Sequence, residues 1–261
     1  MTVYHILIIY QKIKIVELIV MLIKSIKKNY TPYLVLSMAV ICYVIPFLNF
    51  NLFFTNWIFF ALILWIINSK NINILKMGLI FGTSTVLIGE YWIPGTIKNL
   101  SGVNTALSLF IHILYAIYES LFFVVIFLFT KRILSLKKGF ILIKYLNIIL
   151  FYIIAEEYYP RIFPYILGNT QILFNSLSQY ISILGLSFLS FVVLAINFLL
   201  FEIFMNKKIS KIVLIGISLV ILILMSGDPT YNTTEREGLK VFVIQPNNIK
   251  KNLNTVPNNK N

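Results

Sequence analysis

Nine residues of this chain could do chemistry at one depth of a membrane. Glu90, Tyr91 and Trp92 close one apolar run, Glu156 and Glu157 close another, and Arg161, Phe163, Pro164 and Tyr165 follow at once. An ionisable side chain at the edge of hydrocarbon is costly, so its presence is a functional expectation in itself. Two readings stand: these acids, the arginine and the rings line a groove that admits a lipid headgroup, or they form an aromatic belt with a structural Glu to Arg pair. A second polar set, His112 and Glu119, lies seven residues apart on one helical face with Tyr115 between them. A helix-to-helix hydrogen-bond network explains it, with a proton relay as the sharper alternative. Covalent catalysis needs an activated nucleophile beside a base. The one cysteine, Cys42, sits among Val40, Ile41, Tyr43 and Val44, where burial keeps a thiol inert. No disulfide and no cysteine metal site can form within one chain, and no catalytic, cofactor-binding or metal-ligating residue is assigned.

The elements that position these groups are apolar. Hydrophobic residues make up 59% of the chain and charged ones 12%, with mean hydropathy +0.89. The pattern is that of an all-α polytopic membrane protein. Seven runs approach the roughly 20 residues a span requires: 31–48, 50–68, 76–93, 104–129, 139–156, 178–205 and 209–226. The formal charge of +13 would suggest nucleic acid in a soluble protein, but the basic residues cluster between the runs, so no nucleic-acid partner is expected. With the N-terminus in the cytoplasm, twelve Lys and Arg face inward, from Lys24 to Lys211, and only Lys98 and Arg161 face outward ahead of the tail. The positive-inside rule selects that orientation. Lys144 lies far enough into the fifth run to snorkel back to the cytoplasmic face.

Gly78 and Gly82 make a small-xxx-small pair suited to close helix packing. In the sixth run Gln179, Ser182, Gly185, Ser187 and Asn197 supply small or polar groups of the same use. Residues 1–30 carry Lys12, Lys14 and Glu17 inside an apolar stretch, each costly at a bilayer centre, at ~3 kcal/mol for a Lys, which predicts an interfacial helix rather than a span. A start at Met21 is the alternative. After 31–226, residues 227–261 read as a linker, then a strand over Leu239–Gln245, then a polar stretch without a core of its own.

Three blocks in this order resemble the membrane half of apolipoprotein N-acyltransferases. They are Gly78 to Ile93, GLIFGTSTVLIGEYWI; Glu156 to Gln171, EEYYPRIFPYILGNTQ; and Gln179 to Asn197, QYISILGLSFLSFVVLAIN. A fourth, Leu239 to Asn248, is similar to the first strand of the family's nitrilase-like α/β domain. Tyr165 stands where the family usually has Trp, Ile162 where many members have Gly, and Ser182 where Asp is common. The resemblance implies a multi-pass protein of the bacterial cytoplasmic membrane whose partners are a phospholipid and a lipoprotein. The family reaction moves a fatty acyl chain from phospholipid to the N-terminal amine of a diacylglyceryl-cysteine. The resemblance also places the family's Glu base, oxyanion-stabilising Lys and thioester-forming Cys beyond that first strand. The expectation is therefore a membrane part, inactive alone, with an incomplete nitrilase-like domain at its end and a separately encoded nitrilase-like half as a candidate partner. A non-catalytic membrane module that binds lipid or lipoprotein is the alternative. A transporter is disfavoured because inverted repeats and midplane charges are not evident.

Overall fold

The computed structural model describes residues 31–69, 72–138, 140–163, 165–205 and 216. They belong to the first of two compact units of the chain, which ends at Pro229. Helix α1, Thr31–Leu48, ends at Asn49, whose side chain accepts from the Asn51 amide and starts a 3-10 helix, Phe50–Trp57. The chain then turns at Ile58 into α2, Phe59–Asn68.

That break has a cost, because Ile58 offers no side-chain cap to the new helix. Asn197 meets the cost from another helix. Its Oδ1 accepts from the Phe60 and Ala61 amides at 2.8 and 3.0 Å, and its Nδ2 donates to the carbonyls of Asn56 and Val193, both at 2.8 Å. In hydrocarbon no water can satisfy those groups, so the broken span requires such a side chain.

Helix α3, Ile74–Gly89, is capped by Asn73 and bends by 62° into α4, Ile93–Ser101, across Glu90, Tyr91 and Trp92. Pro94 suits the first turn of α4, where its missing amide is not needed. Helix α5, Thr105–Leu134, is capped by Asn104 and ends in Lys131 and Arg132, where cations favour the helix dipole. Its 30 residues rise about 45 Å, longer than the hydrocarbon core. Glycines let α3 lie against it. A Cβ on Gly82 would stand 2.5 Å from Ser120 Cα, and one on Gly78 2.8 Å from Val124 Cα. Helix α6, Ile141–Tyr158, follows, and near its start Lys144 donates to the Leu136 carbonyl. A loop, a 3-10 helix at Leu167–Gln171 and two single turns, α7 at Asn175–Ser178 and α8 at Ile181–Leu184, lead to α9, Leu186–Met205.

The core is aromatic. Phe81 packs edge-on to Phe123 at 4.9 Å, and Tyr43 meets Phe59, Phe81 and Phe123 at 5.0 to 5.7 Å. Such T-shaped contacts suit the ring quadrupoles and fill the space between α1, α2, α3 and α5.

Among the described residues, four helices are long and apolar enough to span a membrane: Thr31–Leu48, Phe50–Asn68, Thr105–Leu134 and Leu186–Ile203. The bent pair α3 and α4 makes a fifth if it is one span. The seven predicted spans are thus not all reproduced. Helix α6 forms where the fifth was expected, but Lys144, Glu156 and Glu157 lower its apolar character. The sixth starts at Leu186 rather than 178, because Gly185 takes φ +74 and ends the preceding turn. The seventh run, the strand at 239–245 and residues 1–30 lie outside the described residues. No strand occurs among those described.

Candidate functional site

The site is built where α6 ends. Tyr159 leaves the helix with extended backbone, and two tyrosines latch the loop to α5. Tyr118 donates its hydroxyl to the Pro160 carbonyl at 2.7 Å, and Tyr159 donates to the Tyr118 carbonyl at 2.9 Å. The latch turns Arg161 inward. Its Nε lies 3.2 Å from Glu119 Oε2, with the two side chains 7% and 3% exposed. Its Nη1 donates to the Tyr165 carbonyl at 2.7 Å, and its Cζ stands 4.1 Å above the Phe122 ring. A buried charge survives only when paired and hydrogen-bonded, and the ring face adds a cation–π contact. Burial works against the Arg161 charge, yet Tyr43, Tyr152, Glu119 and Glu156 around it hold its pKa above the ordinary arginine value.

Glu90 caps α3 and is 5% exposed, and its Oε2 has no hydrogen-bond partner among the described residues. With Glu119, Arg161, Tyr43, Tyr165 and the ring of Phe47 it lines a half-open recess between α1, α3 and α5. The cavity volume of the recess is about 20 Å³. That is room for one small head, not for an acyl chain.

The other predicted residues divide. Glu156 is buried but does not line the recess: its Oε1 accepts from the Leu167 amide at 2.7 Å and its Oε2 from Ser190 Oγ at 2.8 Å. Ser190 Oγ also accepts from the Gly168 amide at 2.9 Å, so one acid ties α6, the 3-10 helix and α9 together. A Cβ on Gly168 would run into the Leu186 carbonyl, which is why glycine suits this crossing. Glu157 is exposed and accepts from Ser187 at 2.6 Å. Tyr91 is 69% exposed and points out of the cluster. Trp92 meets Phe163 edge-on at 5.3 Å, and Phe163 meets Tyr115 at 6.3 Å, but none of these three rings lines the recess. Phe47 and Tyr165, 5.1 Å apart, do line it. Pro164 lies outside the described residues.

Glu119 is the residue that sequence reasoning placed wrongly. It was grouped with His112, yet it pairs with Arg161, while His112 Nε2 has no partner among the described residues and its ring stacks on Tyr115 at 6.4 Å. A usable signal was present: an acid inside an apolar helix demands a cation, and Arg161 is one of two on that side of the sequence-derived topology ahead of the tail. Tyr43 was also missed, because a tyrosine within an apolar run looks like any other core ring. Cys42 is half-buried against the core and does not line the recess.

All of this falls in one region of sequence similarity. No curated protein sequence matches the chain. A family model, described as the apolipoprotein N-acyltransferase N-terminal domain, matches residues 39–199, more than half of the chain. The match runs from within α1 to within α9 and contains the recess, the Arg161 loop and the Glu156 tie. The chain therefore belongs to the apolipoprotein N-acyltransferase family, through the N-terminal membrane domain of that family.

Proposed function

We propose that this chain carries the membrane domain of an apolipoprotein N-acyltransferase, binding and presenting lipid for transfer of a fatty acyl chain from phospholipid to the N-terminal amine of a diacylglyceryl-cysteine. The family match over residues 39–199 is the observation that carries this reading. The recess formed by Glu90, Glu119 and Arg161, with Trp92, Phe163 and Tyr165 beside it, supports a headgroup-level binding role for this end of the helices. Aromatic and ionisable side chains gathered at a helix end suit the boundary between headgroups and hydrocarbon. The acyl-carrying nucleophile is assigned to a nitrilase-like domain and not to Cys42, which sits in α1 away from the recess. On this reading the domain sits in the bacterial cytoplasmic membrane with the recess toward the outer leaflet.

The test reconstitutes the purified chain in lipid, alone and with the nitrilase-like domain of a family member. A labelled acyl chain on phospholipid and a diacylglyceryl-cysteinyl peptide report transfer. The expected result is no transfer by the 261-residue chain and measurable transfer by the pair. Transfer by this chain alone would overturn the assignment of the nucleophile. Lipid and lipopeptide binding without transfer by any pair would favour a binding module.

A further inference from the structure

Residues 162–201 contain no Asp, Glu, Lys or Arg. Helix α9 explains the second half of that stretch, since Leu186–Ile203 is apolar enough to span a membrane. The first half does not span. After the 3-10 helix at Leu167–Gln171 it makes only the single turns α7 and α8, and Gly185 at φ +74 ends them. Its outward side chains are nonetheless apolar: Leu173 is 55% exposed, Leu184 52% and Ile183 78%. Apolar side chains gathered outward on a segment without charge mark a surface that meets lipid or another protein.

The inner side of the segment is fixed. Leu177 is fully buried and packs with Leu189, Val192 and Ile196 of α9. Phe174 stacks on Phe53 at 5.0 Å, and the Tyr180 ring leans on Phe188 at 5.7 Å. Those contacts hold the inner face against the protein, and Ile183 and Leu184 stand outward. The backbone sets the depth. Single turns leave amides and carbonyls that helix bonding does not satisfy, which headgroups and water tolerate and hydrocarbon does not. Apolar side chains on such a backbone suit the boundary between headgroups and acyl chains. Leu184 also stands two residues before the spanning stretch that begins at Leu186, so the outward surface continues into one that meets lipid.

We propose that residues 172–185 form an interfacial bracket: Leu177 pins the segment to α9, and Ile183 and Leu184 seat it among the upper acyl carbons of the bilayer. The partner is the lipid surface itself and not a particular lipid, because the segment has apolar area to bury and no charge with which to select a headgroup. The bracket fixes the depth at which α9 begins. This inference rests on the membrane placement of the chain and is independent of its acyltransferase reading.

The experiment uses the full chain with Cys42→Ser in nanodiscs of a dioleoyl choline lipid, which leave both faces open to solutes. A nitroxide is attached at Ile183→Cys and, separately, at Leu184→Cys. Its collisions with oxygen, which concentrates in lipid, are compared with those of a water-soluble nickel chelate. Leu121→Cys, on the exposed face of α5 midway along that helix, gives the hydrocarbon reference, and Lys137→Cys gives the aqueous one. The expected result is an oxygen excess at 183 and 184 that lies between the two references, with loss of nickel collisions relative to 137. Values equal to those at 137 overturn the proposal by placing the segment in water. Low collision with both reagents overturns it in favour of a protein partner on this face, and values equal to those at 121 overturn it by placing the segment in the bilayer interior. No oxygen excess at 121 overturns the membrane placement and the bracket together. Both probed side chains are exposed, so neither substitution opens the core, and thermal unfolding checks each variant. Acyl transfer is not part of the readout, so failure of the bracket leaves the acyltransferase reading standing.

Discussion

Arg161 illustrates how a buried ion pair behaves at the scale of a residue. Its guanidinium leaves water for a place between Glu119, the Tyr165 carbonyl and the Phe122 ring, and it stays there because its charge is paired with Glu119 and its Nη1 donates to that carbonyl. Deleting one partner of such a pair strands the other. Arg161→Ala is expected to lower stability by about 3–5 kcal/mol, since Glu119 remains buried without its cation. The pair Arg161→Met with Glu119→Leu should recover most of that loss, because both charges go together. Unfolding of both variants in mild detergent, followed by helical circular dichroism, measures the difference. Equal destabilisation in the two would show that packing, and not the stranded charge, dominates. Glu156, only five residues before Arg161, was the nearer acid in sequence, but its two oxygens are taken by Leu167 and Ser190.

At the scale of elements, the spacing of helices is set by what has no side chain. Helices α3 and α5 touch through Gly78 and Gly82, where Val124 and Ser120 present backbone rather than flexible side chains. Gly82→Ala would set a methyl 2.5 Å from Ser120 Cα, so the two helices must move apart. The expected cost is about 1–3 kcal/mol. Gly89→Ala is the matched control: its methyl would stand 3.6 Å from Val44 Cγ1, an ordinary contact, and should change stability by less than about 0.5 kcal/mol. Thermal midpoints of the two variants under one detergent condition compare them. Polar packing obeys the same logic at α2, where Asn197 caps a helix start that α2 cannot cap for itself. The break at Ile58 and the cap on α9 are therefore one device, and the capped Phe60 and Ala61 lie 137 and 136 positions from Asn197.

At the scale of the whole molecule, exposed lysines at opposite helix ends make the proposed topology testable. Lys98 is exposed on α4, beside the bend that follows Glu90, while Lys137 and Lys138 are exposed between α5 and α6. On the proposed topology, which the positive-inside rule selects, Lys98 lies outside and the pair inside. In a Cys42→Ser background, a cysteine placed at position 98 is expected to react with an impermeant maleimide on intact cells. One placed at 137 is expected to react only after the membrane is opened. The opposite pattern would invert the proposed topology and place the recess at the cytoplasmic face.

The amino-acid sequence by itself determined the class of this protein, since long apolar runs separated by basic clusters have no stable home but a membrane, and it carried the blocks that mark the family. It also placed Glu90, Trp92, Arg161, Phe163 and Tyr165 at neighbouring helix ends, because run lengths limit where each end can fall. The tertiary structure decided the partners. Glu119 reaches Arg161 across 42 residues only because the Tyr118 and Tyr159 latch folds the loop onto α5, and no local spacing encodes that. It also moved Glu156 out of the recess, because the amide of Leu167 and the hydroxyl of Ser190 needed an acceptor inside the fold. Periodicity reports which residues meet hydrocarbon or core, but the rotation and crossing of helices settle which buried charge finds which, and those follow from packing among residues far apart in the chain.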